Sequence, residues 1–351
     1  MHPKGRILAD PSSHLDHFDL LPDSVALLIF NKPADVRSLG RCSAVCRRFN
    51  SLVFLVQDVY IKIDCVVTVD GDFDDDPFRP TFRRHRNSNF LKLILNALLK
   101  SDFHNLHSTK GSNKPVFLLL SHHSLAQVLK DFTHVRNLQI ELPSGDAGTE
   151  EGVLLKWRAV FGSSLQKCVI LRGTSVDLKP VSELEASLED SGSIPESICT
   201  NGALKSRVVW TMISSLIAAS TRHYLLQPII MNHPTLKSLV LTDGDGQGTL
   251  SMGEGQLKEF RENPPSASSN RTEVPAANME MKYAPYLELP CGMALRGTTL
   301  VTIKPSSDGN TASSSRAETD AYISGSFDNP FKTAVKALMK RRTHLLEMKG
   351  F

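Results

Sequence analysis

The sequence predicts a mixed fold, α+β or α/β in class: a short N-terminal helical module followed by an irregular helix–strand scaffold. Three observations predict it. Apolar residues lie on nearly every side of the segment 19–53, more than so short a stretch can bury within itself. A single 3+2 apolar spacing recurs three times downstream, each time soon after a helical pattern. The net charge is only +3 over 351 residues, with 41% apolar and 22% charged residues. A chain of this length and balance can bury a large core, and it carries no global basic footprint for nucleic acid.

Taken in order, residues 1–16 are polar, with Pro3, Pro11 and two serines, and read as a loose tail. Leu20 to Phe30 reads as a helix entered through Pro22, whose missing N–H costs nothing in a first turn. After a break at Asn31 to Ala34, Asp35 can cap a second helix with Val36, Leu39, Val45 and Phe49 as its apolar positions. Tyr60 to Val69 is β-branched and partly alternating, hence a strand. The acidic run Asp70 to Asp76 and the basic run Arg83 to Arg86 read as one solvated loop, and Phe90 to Leu99 as an apolar-faced helix.

The recurring pattern is Val135-x-x-Leu138-x-Ile140, Leu165-x-x-Cys168-x-Ile170 and Leu236-x-x-Leu239-x-Leu241. The expected helices before these copies span 124–131, 153–161 and 206–231. The spacing puts the last two apolar side chains on one face of a short strand, with the first turning in from the preceding loop. This predicts an irregular, leucine-rich-repeat-like helix–strand solenoid or, alternatively, a plain open α/β layer. Residues 262–278 read as a loop, and 286–290 and 300–304 as two closing strands. Residues 305–328 read as a flexible linker. A last basic amphipathic helix is expected over 329–351, its pattern running to about Glu347. Phe331, Val335, Leu338, Leu345 and Met348 form its apolar side, and Lys332, Lys336, Lys340, Arg341 and Arg342 its basic positions. The basic run suits a nuclear import signal, a partner-binding helix, or simply an end helix with its charges in water.

The same chain excludes much. No phosphate-cradling glycine loop, nucleophile elbow or metalloprotease helix occurs, and the close pairs His104/His107 and His122/His123 have no ligand-type neighbours. The sequence therefore predicts no catalytic residue, cofactor or metal, no nucleic-acid partner and no membrane span. The longest apolar stretch, Val208 to Ala219, is interrupted by Thr211, Ser214 and Ser215 and is shorter than the roughly 20 residues a span requires. Nor does Met1 to Ile7 carry an apolar run after its charges. The six cysteines at 42, 46, 65, 168, 199 and 291 are unpaired by spacing, which fits reduced thiols in a nuclear or cytoplasmic protein. One weak metal pattern remains. Asp243, Asp245, Gln247, Thr249 and Glu254 stand near the ligand positions of a twelve-residue calcium loop, with Gly248 at its turn. A glycine-rich turn after the strand 235–241 explains the same residues.

The segment 19–53 resembles the F-box, a three-helix module that docks on the Skp-family adaptor of cullin–RING ubiquitin ligases. The resemblance rests on Leu21-Pro22-Asp23 at the entry, Ile29-Phe30 closing the first helix, Leu39 mid-module, Val45-Cys46-Arg47-Arg48-Phe49, and Leu52. It implies adaptor binding through Leu20, Leu21, Pro22, Leu28, Ile29, Phe30, Leu39, Val45, Cys46, Phe49 and Leu52, within a module spanning 17–58. Pro33 stands where leucine is usual, and Phe49 replaces the commoner tryptophan while keeping an aromatic anchor. With Ile29-Phe-Asn-Lys32 and Arg41-Cys-Ser-Ala-Val-Cys46, the whole chain is similar to a plant F-box family without a standard named C-terminal repeat. That resemblance implies a substrate receptor. The F-box would hold the ligase through Skp and cullin, residues 59–304 would hold an unknown protein target, and the chemistry would belong to other subunits. Alternatives are a Skp-binding protein outside any ligase, a calcium-responsive scaffold, or a segment 19–53 that is merely the first helices of a larger core.

Overall fold

The structure, a computed structural model, describes residues 18, 20–32, 35–63, 125–142, 152–177, 202–265, 276–290, 292–305 and 316–348. In chain order its helical start is α1 (Asp23–Phe30), α2 (Val36–Ser43) and α3 (Arg47–Val53), followed by β1 (Asp58–Lys62). Next come α4 (Leu125–Leu129), β2 (Asn137–Leu142), β3 (Leu154–Phe161), β4 (Leu165–Gly173), β5 (Ser175–Asp177) and the long α5 (Gly202–Asn232). The remainder is β6 (Ser238–Asp243), β7 (Gly248–Met252), α6 (Glu254–Glu262), β8 (Ala277–Leu289), β9 (Met293–Pro305), α7 (Arg316–Ser324), α8 (Phe331–Met339) and β10 (His344–Met348). The tail 1–16, the charged runs 70–76 and 83–86, the helix 90–99 and Cys65, Cys199 and Cys291 lie outside the described residues.

The local chemistry of the first helices follows the sequence. Pro22 stands at the N-cap of α1. Asp35 caps α2, its carboxylate accepting the Ser38 N–H at 3.0 Å. What reads as one helix from Asp35 to Phe49 is two. The chain becomes extended at Cys46, whose Sγ accepts the Phe49 N–H at 3.4 Å and so starts α3.

The ten strands among the described residues form one mixed sheet in the order β1-β2-β6-β7-β3-β4-β9-β8-β10, with β5 pairing β9. The strands β1, β2 and β6 run parallel and in step: Val59 beside Leu138 beside Leu239, and Ile61 beside Ile140 beside Leu241. The turns before them stack too. The Arg136 and Asn137 N–H groups donate to Gln57 O, and the Lys237 and Ser238 N–H groups donate to Arg136 O. The first and third copies of the spacing are thus neighbouring rungs. Val56-x-x-Val59-x-Ile61, with all three residues buried, is a further rung before them. The middle copy is not one: Leu165 to Ile170 lies in β4, antiparallel to both β3 and β9.

Other expectations need correction. The helix expected over 153–161 is instead the strand Leu154–Phe161, in which Leu155, Trp157 and Ala159 are buried in alternation with the half-buried Leu154, Lys156 and Arg158. The linker 305–328 contains α7, whose Ile323 packs in the core. The last helix ends at Met339, and 344–348 pairs with β8 as an antiparallel strand, so the segment 329–351 is not one continuous helix. The physical reason is a competing cap. The Lys282 ammonium takes Met339 O at 3.0 Å and Arg341 O at 3.2 Å, the carbonyls from which a longer helix would continue.

Two layers cover the sheet. Residues of α1 to α6 pack on one face in a core running from Phe30 and Leu39 through Leu138, Leu216 and Leu257 to Val301. On the other face α7 and α8 cover β4, β8 and β9, through Ile323, Val335 and Leu338 against Leu171, Leu287 and Leu300, and reach the adjoining side of β3 at Leu154. Strands covered on both sides become continuous apolar runs, which explains Cys168-Val169-Ile170-Leu171. Helices and strands mixed in this way make the chain α+β.

Candidate protein-docking surface on the N-terminal helices

The apolar residues of 18–55 divide into two sets. Phe30, Leu39 and Leu52 are buried, at 5%, 0% and 5% exposure, and hold the three helices together and onto the sheet. Leu20, Leu28, Ile29 and Val45 remain exposed, Leu28 at 67% and Val45 at 69%, and Phe18 and Val25 are exposed beside them. Leu21 is half-buried, and Pro22 and Cys46 are exposed. Of the residues expected to contact a partner, the buried three therefore serve the fold. The exposed ones form the surface that is open to a partner.

Two polar devices position this surface. Arg48 pins the entry segment: its Nε donates to Asp23 Oδ1 at 2.8 Å, its Nη1 to Phe18 O at 2.9 Å and its Nη2 to Leu21 O. With the backbone held at Phe18 and Leu21, Leu20 stays exposed rather than collapsing onto α3. Phe49 then stands edge-on to Phe18 at 6.0 Å and to Phe30 at 5.2 Å between ring centroids. At the other end Asn31 Oδ1 accepts the Gln57 N–H at 2.9 Å and the Asp58 N–H at 3.2 Å, and Asp35 bridges Tyr60. The helices are thereby seated directly on β1. The sequence marked Arg48 and Asn31 as part of a pattern but could not assign these roles, because apart from the Asp23 carboxylate their partners are backbone atoms.

The calcium reading does not survive the geometry. Asp243 is 3% exposed, and its carboxylate is fully engaged with the Gln247 N–H at 2.5 Å, the Gly248 N–H at 2.8 Å and Arg222 Nη2 at 3.2 Å. Thr249 is paired in β7, and Glu254 opens α6 with its carboxylate on Lys237 at 2.9 Å. The acids and glycines thus build a β6–β7 hairpin turn. Among the described residues no group of three or more His, Cys, Asp or Glu side chains could hold a metal. Gly248 is required because a Cβ there would meet the Trp157 ring at 2.3 Å. His223 is buried between Phe161 and Phe260, with its Nε2 at 2.9 Å from Gly162 O, and burial pushes its pKa down to about 4. Burial likewise pushes the Cys168 thiol up to about 12, an inert core group.

Comparison with known proteins bears on the same helices. A family model described as F-box-like matches residues 18–64. Over the whole length the chain is similar to the Arabidopsis thaliana F-box protein At4g18380, 48% identical over 99% of this chain and 97% of that relative. It is 47% identical to F-box protein At1g30200 and 46% identical to F-box protein At5g46170 of the same plant. Each alignment covers 99% of this chain and 98% of the relative. No solved structure matches the chain.

Proposed function

Because the chain belongs to the family of plant F-box proteins, we propose that it is the target-recognition adaptor of a Skp–cullin–F-box ubiquitin ligase, a non-catalytic subunit that links one protein target to the ligase for ubiquitination. The observation that carries this reading is the exposed apolar set Leu20, Leu28, Ile29 and Val45, displayed on helices whose own core is already filled. An apolar patch held rigid on short helices is the form that a partner groove receives. In this reading Leu21, Pro22, Cys46 and Phe49 frame the contact, and Phe30, Leu39 and Leu52 keep its shape.

The scaffold from β1 onward is assigned to the target. Its rungs β1, β2 and β6 support a leucine-rich-repeat-like description of that part of the sheet, while the antiparallel remainder is of another kind. A nuclear or cytoplasmic setting, where the cullin ligases act, goes with this role. Imaging of a fluorescent fusion tests that placement, and a secreted fusion would refute it.

The direct test is a pull-down of the full chain against a Skp-family adaptor, wild type beside Leu28→Ala/Val45→Ala. The double variant is expected to lose binding while keeping the wild-type melting curve. Anchors of this kind contribute about 2 kcal/mol or more each. Binding to the adaptor without recruitment of cullin would favour a Skp-binding protein outside any ligase. Absence of adaptor binding in the wild type would refute the proposal.

A further inference from the structure

Among the described residues the sheet is covered on both faces only along its second half. Over β2, β6 and β7 burial alternates residue by residue. The side turned away from α4 to α6 is therefore a wetted polar floor that includes Gln139, Thr242, Thr249 and Ser251. Among the described residues, no helix packs on that floor.

Where the floor meets the α7–α8 layer, β3 and β4 direct two cations to this same side. Arg158 is paired with Val169, and Val160 with Lys167, so Arg158 and Lys167 are diagonal neighbours, about 7–8 Å apart in such a ladder. Both are half-buried. Among the described residues neither has a carboxylate within ion-pair distance. Arg158 Nη1 reaches only Ser326 O, at 3.5 Å, and its Nε is buried without an acceptor. Lys167 Nζ lies 4.8 Å above the Tyr322 ring. The nearby acids act elsewhere. Glu141 is taken by Lys62 at 2.8 Å and by Tyr60, while Asp245 and Asp328 act on Lys156, which donates to Gly246 O at 2.9 Å. Two like charges, partly desolvated and without a counter-ion, raise the energy of the free protein, and a bound anion relieves it.

We infer that Arg158 and Lys167 are the anchor for a carboxylate side chain on an acidic segment of the target protein, which lies across the hydroxyl-rich floor beside α7. The inference deepens the receptor reading above and rests on it. The charge of the site selects an acidic partner, and the flat hydroxyl floor offers hydrogen bonds to an extended main chain.

The test uses the full chain and a fluorescein-labelled octaglutamate peptide, read by fluorescence anisotropy at low salt, with octaserine as the neutral control. The wild type is expected to bind octaglutamate and not octaserine, and R158E/K167E to bind it roughly tenfold more weakly or worse. If R158E/K167E fails to fold by circular dichroism, R158Q/K167Q supplies the same comparison with the charges removed. The exposed basic run at the other end of the chain is the control: K336A/K340A/R342A is expected to bind as the wild type does. Unchanged affinity in the 158/167 variants, equal loss in the 336/340/342 variant, or preference for a phosphoserine octapeptide would each overturn the assignment. A Skp-adaptor pull-down on the same proteins separates the two readings. Wild type that holds the adaptor but not octaglutamate refutes this site alone, and wild type that holds octaglutamate but not the adaptor refutes the receptor role.

Discussion

Arg222 is 1% exposed, a cation almost without water, and three neighbours make that tolerable. Asp243 faces it at 3.2 Å, the Trp157 ring lies 4.7 Å from its guanidinium carbon, and Gly248 leaves room for that ring. Removing one partner of such a pair strands the other charge. Asp243→Ala is therefore expected to lower unfolding free energy by about 3–5 kcal/mol in urea melts, while added calcium leaves the wild-type melting temperature unchanged. His223 predicts a pH dependence. Its folded pKa of about 4 lies below the ordinary 6.5, so the unfolded chain takes up a proton that the native state refuses. Stability is then full above pH 6.5 and is lost as the pH falls toward 4, by about 3 kcal/mol in all. His223→Phe is expected to flatten that slope in melts between pH 7 and 4. At this scale the sequence marked the right residues with the wrong chemistry. The pattern Asp243-x-Asp245-x-Gln247-Gly248 is the same whether the first carboxylate holds a metal or closes its own turn, and Arg222, 21 residues upstream, decides the matter.

Among the elements, the helices of 23–53 were the most legible, because Pro22 and Asp35 mark their starts by local chemistry. Asp35→Ala is expected to cost about 1 kcal/mol through the lost cap, measured by chemical denaturation. The division between surface and core was not legible, since Leu28 and Leu39 look alike until the helices are packed. It yields opposed expectations. Leu39→Ala should lower stability by about 2–5 kcal/mol and weaken adaptor binding with it, whereas Leu28→Ala should spare stability and lose binding. Thermal melts beside pull-downs distinguish the two. For the strands, the 3+2 spacing found β2 and β6 because both have one buried face. It misfired at β4, where Cys168 to Leu171 is apolar at every position because helices cover both sides. It passes over Val56, Val59 and Ile61 because the β-branched, alternating pattern is read only from Tyr60. The break after Met339 depends on Lys282, far away in sequence, which no local pattern could reveal.

For the whole molecule, the change of element type near residue 58 does not divide the interior. One apolar core runs from Ala26, Phe30 and Val53 into Phe132, Leu138 and Met252, and Phe54 stands edge-on to Phe132 at 5.4 Å. Helical module and scaffold are therefore expected to unfold in a single transition. Val53→Ala should speed hydrogen exchange in β1 and β2 as well as in α3, an outcome that two independent domains would not give. The charge balance and length announced a large core, but its continuity rests on contacts between segments roughly eighty residues apart. The seating of Asp35 against Tyr60 has a consequence of its own. An outer strand with open hydrogen-bonding groups invites another copy to add to it, and here the N-terminal helical module covers that side of β1 at Tyr60. A fragment lacking residues 1–57 would bare the strand edge and part of the core together, and is expected to aggregate. If the scaffold holds a target as proposed, that aggregation would also remove a decoy able to capture the target without delivering it, because the part whose loss would make a dominant-negative inhibitor is the part that covers the strand edge.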